Sequence, residues 1–171
     1  MQLAWRNSIL LSILFTIFGK NPIQLPLLQL QLMTATNKAK CVLLVDDDPV
    51  SLWLQKEVMR LYDDEVSHTH EASNGEEALE FILQYCDDQV IRFPEHCPDL
   101  ILLDLNMPVM DGFAFLEAFQ KIDSRYKDSM RVVVLTSSNN PDDKKKLEPY
   151  PVEKYVNKPL TSEKLEAILG S

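Results

Sequence analysis

The chain has 171 residues, 46% hydrophobic and 25% charged, the balance of a folded globular protein and not of a disordered one. Its length allows one core and excludes two ordinary domains. The formal net charge is -9, and because residues 1–33 hold Arg6 and Lys20 but no acid, the remainder sets 15 basic against 26 acidic residues; such a body repels nucleic acid and excludes DNA reading without a further domain.

In chain order, residues 1–33 stand apart. Ser8 to Phe18 is largely apolar but well short of the ~20 residues that span a bilayer as a helix, and Pro22 and Pro26 interrupt any continuation. No small-x-small cleavage site follows at Gly19, Lys20 or Asn21. This stretch is read as a leader outside the fold, an upstream extension with Met33 as candidate start, or alternatively a membrane-associating tail. The folded domain is expected over residues 39–171.

From Ala39 the pattern alternates strand and helix. Lys40 to Val45 is the first strand, and Asp48-Pro49 opens the first helix with a capping acid and a proline at its first position. Leu54, Val58 and Leu61 at i, i+4, i+7 predict the buried face of that helix. Val66 to Ala72 is a weaker strand on which His68 and His70 are read as ordinary strand residues. Asn74-Gly75 marks a turn, and Glu76 to Tyr85 is a second helix with Ala78, Leu79, Ile82 and Leu83 as its apolar face. Cys86 to Pro98 is a longer link than such units usually need. Leu100 to Leu103 lacks polar alternation, as a central strand covered on both faces should. A third helix runs from Asp111-Gly112 to Ile122, with Asp111 as its cap. Arg131 to Leu135 is the fourth strand, Pro141 to Glu148 a short helix, Lys154 to Val156 the fifth strand, and Thr161 to Leu169 an amphipathic last helix. Alternation of this kind implies an α/β fold with a doubly wound five-stranded parallel sheet flanked by five helices. Cys41, Cys86 and Cys97 are odd in number and lack CxxC spacing, so all three are read as small apolar residues of a reducing compartment, without disulfide or zinc site.

The chemistry-bearing residues follow the apolar strands. Asp46 and Asp47 leave the first, Asp104 and Asn106 the third, Thr136 the fourth and Lys158 the fifth, which gathers them at the sheet's carboxyl edge, where open α/β sheets bind ligands. Clustered carboxylates with one lysine and one hydroxyl are the inventory for holding a divalent cation and a phosphoryl group.

In these motifs, Val45-Asp46-Asp47-Asp48, Leu103-Asp104-Leu105-Asn106-Met107-Pro108 with Asp111-Gly112, Leu135-Thr136-Ser137 and Asn157-Lys158-Pro159, the chain from Lys40 onward resembles the receiver domains of two-component response regulators. The resemblance implies a flavodoxin-like sheet of order 2-1-3-4-5. It implies that Asp104 accepts a phosphoryl group from a phosphohistidine on a histidine kinase or phosphotransfer protein. Mg²⁺ would be held by Asp47, Asp104 and the backbone carbonyl of Asn106, with Asp46 helping through water. Lys158, before a typically cis proline, and Thr136 would hold phosphoryl oxygens, and Thr136 with Tyr155 would form the switch. Leu52 and Met59 on the first helix are expected to form an exposed patch that docks the kinase. A protein of this kind is a phosphoacceptor and not an ordinary enzyme, cytoplasmic, a monomer or weak homodimer, and signals to an unknown downstream protein by contact or by relay, since only Gly170 and Ser171 follow the last helix. Two other readings are a receiver-like module that binds partners without phosphorylation and a Mg²⁺-dependent phosphatase. The phosphatase is disfavoured because Asn106 stands where such enzymes place a general acid.

Overall fold

Strands and helices alternate throughout the computed structural model, which describes residue 39 and residues 41–62, 66–86, 96–122, 127–138 and 141–170. The leader and Met33 lie outside the described residues, as does most of the link between the second helix and third strand. All described residues belong to the compact unit 37–171. Its elements are β1 (Cys41–Val45), α1 (Pro49–Arg60), β2 (His68–Ala72), α2 (Gly75–Tyr85), β3 (Leu100–Leu103), α3 (Gly112–Gln120), β4 (Arg131–Thr136), α4 (Pro141–Leu147), β5 (Val152–Asn157) and α5 (Ser162–Leu169). The sheet is parallel, in the order β2-β1-β3-β4-β5.

The helices start where their capping side chains dictate. Asp48 accepts from the N–H groups of Val50 and Ser51, Asn74 from Glu77, Asp111 from Ala114 and Thr161 from Lys164. Each cap satisfies N–H groups that a helix start leaves without an intrahelical partner. Just before β4, in a short 3-10 turn of Lys127–Ser129, Lys127 Nζ donates to the carbonyls of Gln120 and Ile122 near the end of α3.

The central strands read as unbroken apolar runs because they alternate between two cores. Leu43, Val45, Ile101, Leu103, Val132 and Val134 face the layer of α2 and α3, with Phe115, Leu116 and Phe119. Val42, Leu44, Leu100, Leu102, Val133 and Leu135 face α1 and α5, with Leu165, Ile168 and Leu169. Each fully buried leucine or valine contributes roughly 1.5–3 kcal/mol to the burial that holds the two layers on the sheet.

Several expectations are corrected here. Helix α1 buries Leu52, Gln55 and Met59, with Val58 and Tyr62 packed beside them, while Leu54 is 43% and Leu61 71% exposed. The predicted face is therefore wrong for Leu54 and Leu61, and the Leu52–Met59 docking patch lies inside the core. The cause is Gln55, a polar residue drawn inward by a hydrogen bond to Asp46, which rotates Val50, Trp53 and Leu54 outward. On α2, Leu83 is exposed, and Gly75 with Ala78 and Ile82 forms the buried line. Strand β5 is longer than expected at both ends.

The cysteines are also corrected. Cys86 and Cys97 form a disulfide with Cα atoms 5.2 Å apart, linking the end of α2 to the residues before β3. Cys41 alone is a buried free thiol, pushed up to about 12 by burial and the neighbouring Asp99 carboxylate.

Candidate functional site

The residues at the carboxyl edge are the first to leave the strands, and the backbone ladder still holds most of them. Asp46 N–H donates to the Ala72 carbonyl at 3.0 Å, Asp104 N–H to Val45 at 2.8 Å and Lys158 N–H to Thr136 at 2.9 Å. Their side chains thus project from backbone as rigid as the sheet itself. Gly112 permits the close approach of α3 to this edge. Its N–H donates to the Leu105 carbonyl, and a Cβ there would lie 2.5 Å from the Asp104 carbonyl oxygen.

Asp46, Asp47 and Asp104 bring one carboxylate oxygen each to within 4.8 Å of one another. Asp46 and Asp104 are buried and Asp47 is exposed, so the group opens to solvent on one side. Lys158 Nζ bridges the two buried acids, 2.7 Å from Asp46 Oδ2 and 2.6 Å from Asp104 Oδ2. Burial by itself lowers the pKa of the Lys158 ammonium. The hydrogen bonds and charges of Asp104 and Asp46 outweigh that and raise it, so the lysine is charged at neutral pH. The Lys158-Pro159 peptide is cis.

Asp104 Oδ1 accepts from the N–H of Leu105 at 2.6 Å and of Asn106 at 3.3 Å, which aims the carboxylate and leaves Oδ2 to the lysine. Asp46 Oδ2 receives Ser51 Oγ at 2.5 Å and Gln55 Nε2 at 2.8 Å besides the lysine, while its Oδ1 takes the Asp48 N–H at 3.1 Å. With four protein donors on its two oxygens against three on those of Asp104, Asp46 is the least available of the three acids as a direct ligand. An all-oxygen group with one open side suits a hard divalent cation such as Mg²⁺ or Mn²⁺, which keeps part of its water shell.

Thr136 is fully buried at the end of β4, and its hydroxyl oxygen accepts the Ser138 N–H at 3.2 Å. Tyr155, half-buried on β5, donates its hydroxyl to the Ser138 carbonyl at 2.6 Å, and the Lys144 ammonium lies 4.9 Å from its ring centre. Burial, then the nearby Asp143 charge, push the phenol up. Both predicted switch residues therefore meet at Ser138. The predicted set is brought to one edge, but the Thr136 hydroxyl bonds to Ser138 and not to Asp104.

Ser51, Gln55 and Ser138 are functional neighbours that sequence reasoning missed. Ser51 and Gln55 lie one turn apart on α1 after the acids, a polar i, i+4 pair whose inward face only the Asp46 contact reveals. Val109, in the loop after Asp104, has φ of 67° although β-branched and exposed.

The family model described as the response regulator receiver domain matches residues 42–170. Among curated relatives, the probable C4-dicarboxylate response regulator DctR of Halalkalibacterium halodurans is 33% identical over 131 residues, 75% of this chain and 49% of that protein. The chain thus spans about half the length of that relative. The chemotaxis protein CheY of Halobacterium salinarum is 29% identical over 122 residues, covering 71% of this chain and 87% of that one. The solved Mn(2+)-bound form of response regulator Rcp1 superposes with a TM-score of 0.57 at 29% identity, over 77% of this chain and 89% of that one.

Proposed function

This chain belongs to the response regulator receiver family, and on that premise we propose that it accepts a phosphoryl group on Asp104 from a phosphohistidine of a histidine kinase or phosphotransfer protein. The observation that carries the reading is the Asp104 carboxylate, aimed by two backbone N–H groups and held at 2.6 Å by a charged lysine inside an acidic group open to solvent. Asp104 Oδ2 attacks phosphorus, the P–N bond breaks, and the leaving imidazole nitrogen keeps the bonding pair and takes a proton from solvent. The product is an acyl phosphate.

A carboxylate approaching a phosphoryl group meets like-charge repulsion. Asp47, Asp104 and the Asn106 backbone carbonyl would hold Mg²⁺ directly, and Asp46 through water, consistent with its oxygens being bonded to Ser51, Gln55, Lys158 and the Asp48 N–H. When bound, the cation supplies positive charge to the phosphoryl oxygens. Lys158 turns from the carboxylates to a phosphoryl oxygen as a charge-assisted donor. Thr136 accepts the Ser138 N–H and, among the described residues, has its hydroxyl proton to give to another group. Because Thr136 and Tyr155 both hold Ser138, movement of Thr136 toward the phosphoryl group draws on the loop that anchors the tyrosine. The face of α4, β5 and α5 changes shape in consequence, and a downstream protein reads it or the phosphoryl group is relayed. The cytoplasm is the compartment this reading requires, because phosphohistidine donors are found there. Among the described residues no helix is long and apolar enough to cross a membrane.

Docking is supported by α1, where Val50, Trp53 and Leu54 are 62%, 56% and 43% exposed, one turn beyond the acids. A partner that brings its histidine to Asp104 covers this stripe.

The test is the intact mass of the full chain after incubation with acetyl phosphate, with and without Mg²⁺, beside Asp104→Ala. Gain of one phosphoryl group that needs both Mg²⁺ and Asp104 supports the reading. No gain by the folded protein under any condition refutes it and favours the phosphorylation-independent module.

A further inference from the structure

The chain contains three histidines and three cysteines, and all six gather on one face of the sheet, away from Asp104. His68 and His70 are two residues apart on β2, so they share a face, and their β1 partners are Cys41 and Leu43. Leu43 also pairs with Ile101, which sets His70 roughly 10 Å back along the strands from Asp104. His96, from the residues before β3, lies over both. Its ring centre is 4.7 Å from that of His68 and 5.2 Å from that of His70. Cys97, next to His96, is bonded to Cys86 at the end of α2, and Cys41 Sγ donates to the His96 carbonyl at 3.3 Å. His96 is thereby held from α2 and from β1. Phe81 and Tyr85 wall the group, with ring centres 4.6 and 6.2 Å from His70.

We propose that His68, His70 and His96 bind one divalent transition-metal ion of the borderline class, such as Zn²⁺ or Cu²⁺. His70 Nε2 and His96 Nδ1 share a hydrogen bond at 3.1 Å, and an ion that displaced the shared proton would meet both nitrogens near the ~3.3 Å spacing of adjacent ligands around a tetrahedral centre with bonds of about 2.0–2.1 Å. Imidazole nitrogen is the ligand these ions prefer, whereas the hard-oxygen group at the opposite edge suits Mg²⁺. Among the described residues, Asp46, Asp47 and Asp104 are the ones whose ligand atoms already converge within 4.8 Å, so His68 must rotate its ring to complete the set. All three side chains are half-buried, which leaves a fourth position to solvent. The site is independent of phosphorylation at Asp104.

The test uses the full chain, without a histidine tag, stripped of metal and titrated with Zn²⁺ in excess Mg²⁺, which occupies the acidic group. One equivalent of Zn²⁺ is expected by equilibrium dialysis, with affinity falling at least ~10-fold in His70→Ala and in His96→Ala. Wild-type protein is read in parallel by imidazole nitrogen resonances. Because the chain has three histidines, every such signal belongs to the site and all three should shift at one equivalent. This readout decides the matter even if the variants fail to fold. No Zn²⁺ retained, retention unchanged in folded histidine variants, or imidazole signals unmoved by Zn²⁺ would overturn the proposal.

Discussion

Asp47→Asn should stabilise the metal-free protein and at the same time remove its response to Mg²⁺. The Asp47 carboxylate lies within 4.8 Å of both Asp46 and Asp104, and among the described residues it has no ion-pair partner. At an effective dielectric of about 40, between water and a protein surface, each such pair repels by roughly 1.7 kcal/mol, so the two together give about 3.5 kcal/mol. Lys158, bonded to the other two acids, attracts Asp47 and returns about 1–1.5 kcal/mol of this. The charge also sits just ahead of α1, where the helix dipole favours it by roughly 0.5 kcal/mol. The balance is a net gain of about 1.5–2 kcal/mol on neutralisation, or a rise in Tm of roughly 4–8 °C for a domain of this size. Thermal unfolding followed by circular dichroism in low-salt buffer with a chelator measures it. Added Mg²⁺ at about 100 times its Kd should stabilise wild type by about 2.7 kcal/mol and the variant far less, inverting their order. The chelator difference should shrink at high salt, as the exposed charge is screened. A variant less stable than wild type in chelator, or one that gains the full Mg²⁺ increment, would refute the picture of a strained acidic group relieved by a cation.

Trp53→Glu replaces an exposed ring on α1 with a charge, so phosphoryl transfer from a partner kinase should slow at least ~10-fold while phosphorylation by acetyl phosphate is unchanged; equal loss in both assays would place Trp53 in folding instead of docking. Val109→Gly removes a β-branched side chain from left-handed backbone, and chemical denaturation should show a gain of about 0.5–1 kcal/mol after the added flexibility of glycine in the unfolded chain is subtracted. The Arg131 guanidinium forks onto Glu153 with contacts of 2.6 and 2.9 Å, and that hydrogen bonding holds the Glu153 carboxyl below its usual 4.5. A carboxyl with a lowered folded pKa stabilises the protein above its unfolded value and loses that contribution as pH falls through the folded one. Glu153→Gln should therefore lower stability by about 0.5–1 kcal/mol at pH 7, where solvent screens the pair, and flatten the decline below pH 4.5; an unchanged acid limb would show the pair to be idle.

Much of the fold is legible in local chemistry. Asp48, Asp111 and the apolar run Leu100–Leu103 announce two helix starts and a central strand because capping and two-sided burial act over a few neighbouring residues. The strand ends likewise set Asp46, Asp104, Thr136 and Lys158 on one edge, since parallel strands all deliver their last residues to the same side. What periodicity could not decide was the inward face of α1. Apolar residues lie on both sides of that helix, and the choice fell to Gln55, whose amide gains a buried carboxylate by turning in. The Cys86–Cys97 bond and the histidine group were beyond reach for a related reason. His70 and His96 are 26 residues apart, and Cys86 and Cys97, 11 apart, come from the end of α2 and the residues before β3. Contacts at such separations depend on strand order and register, which arise when the whole core closes and not from any one segment.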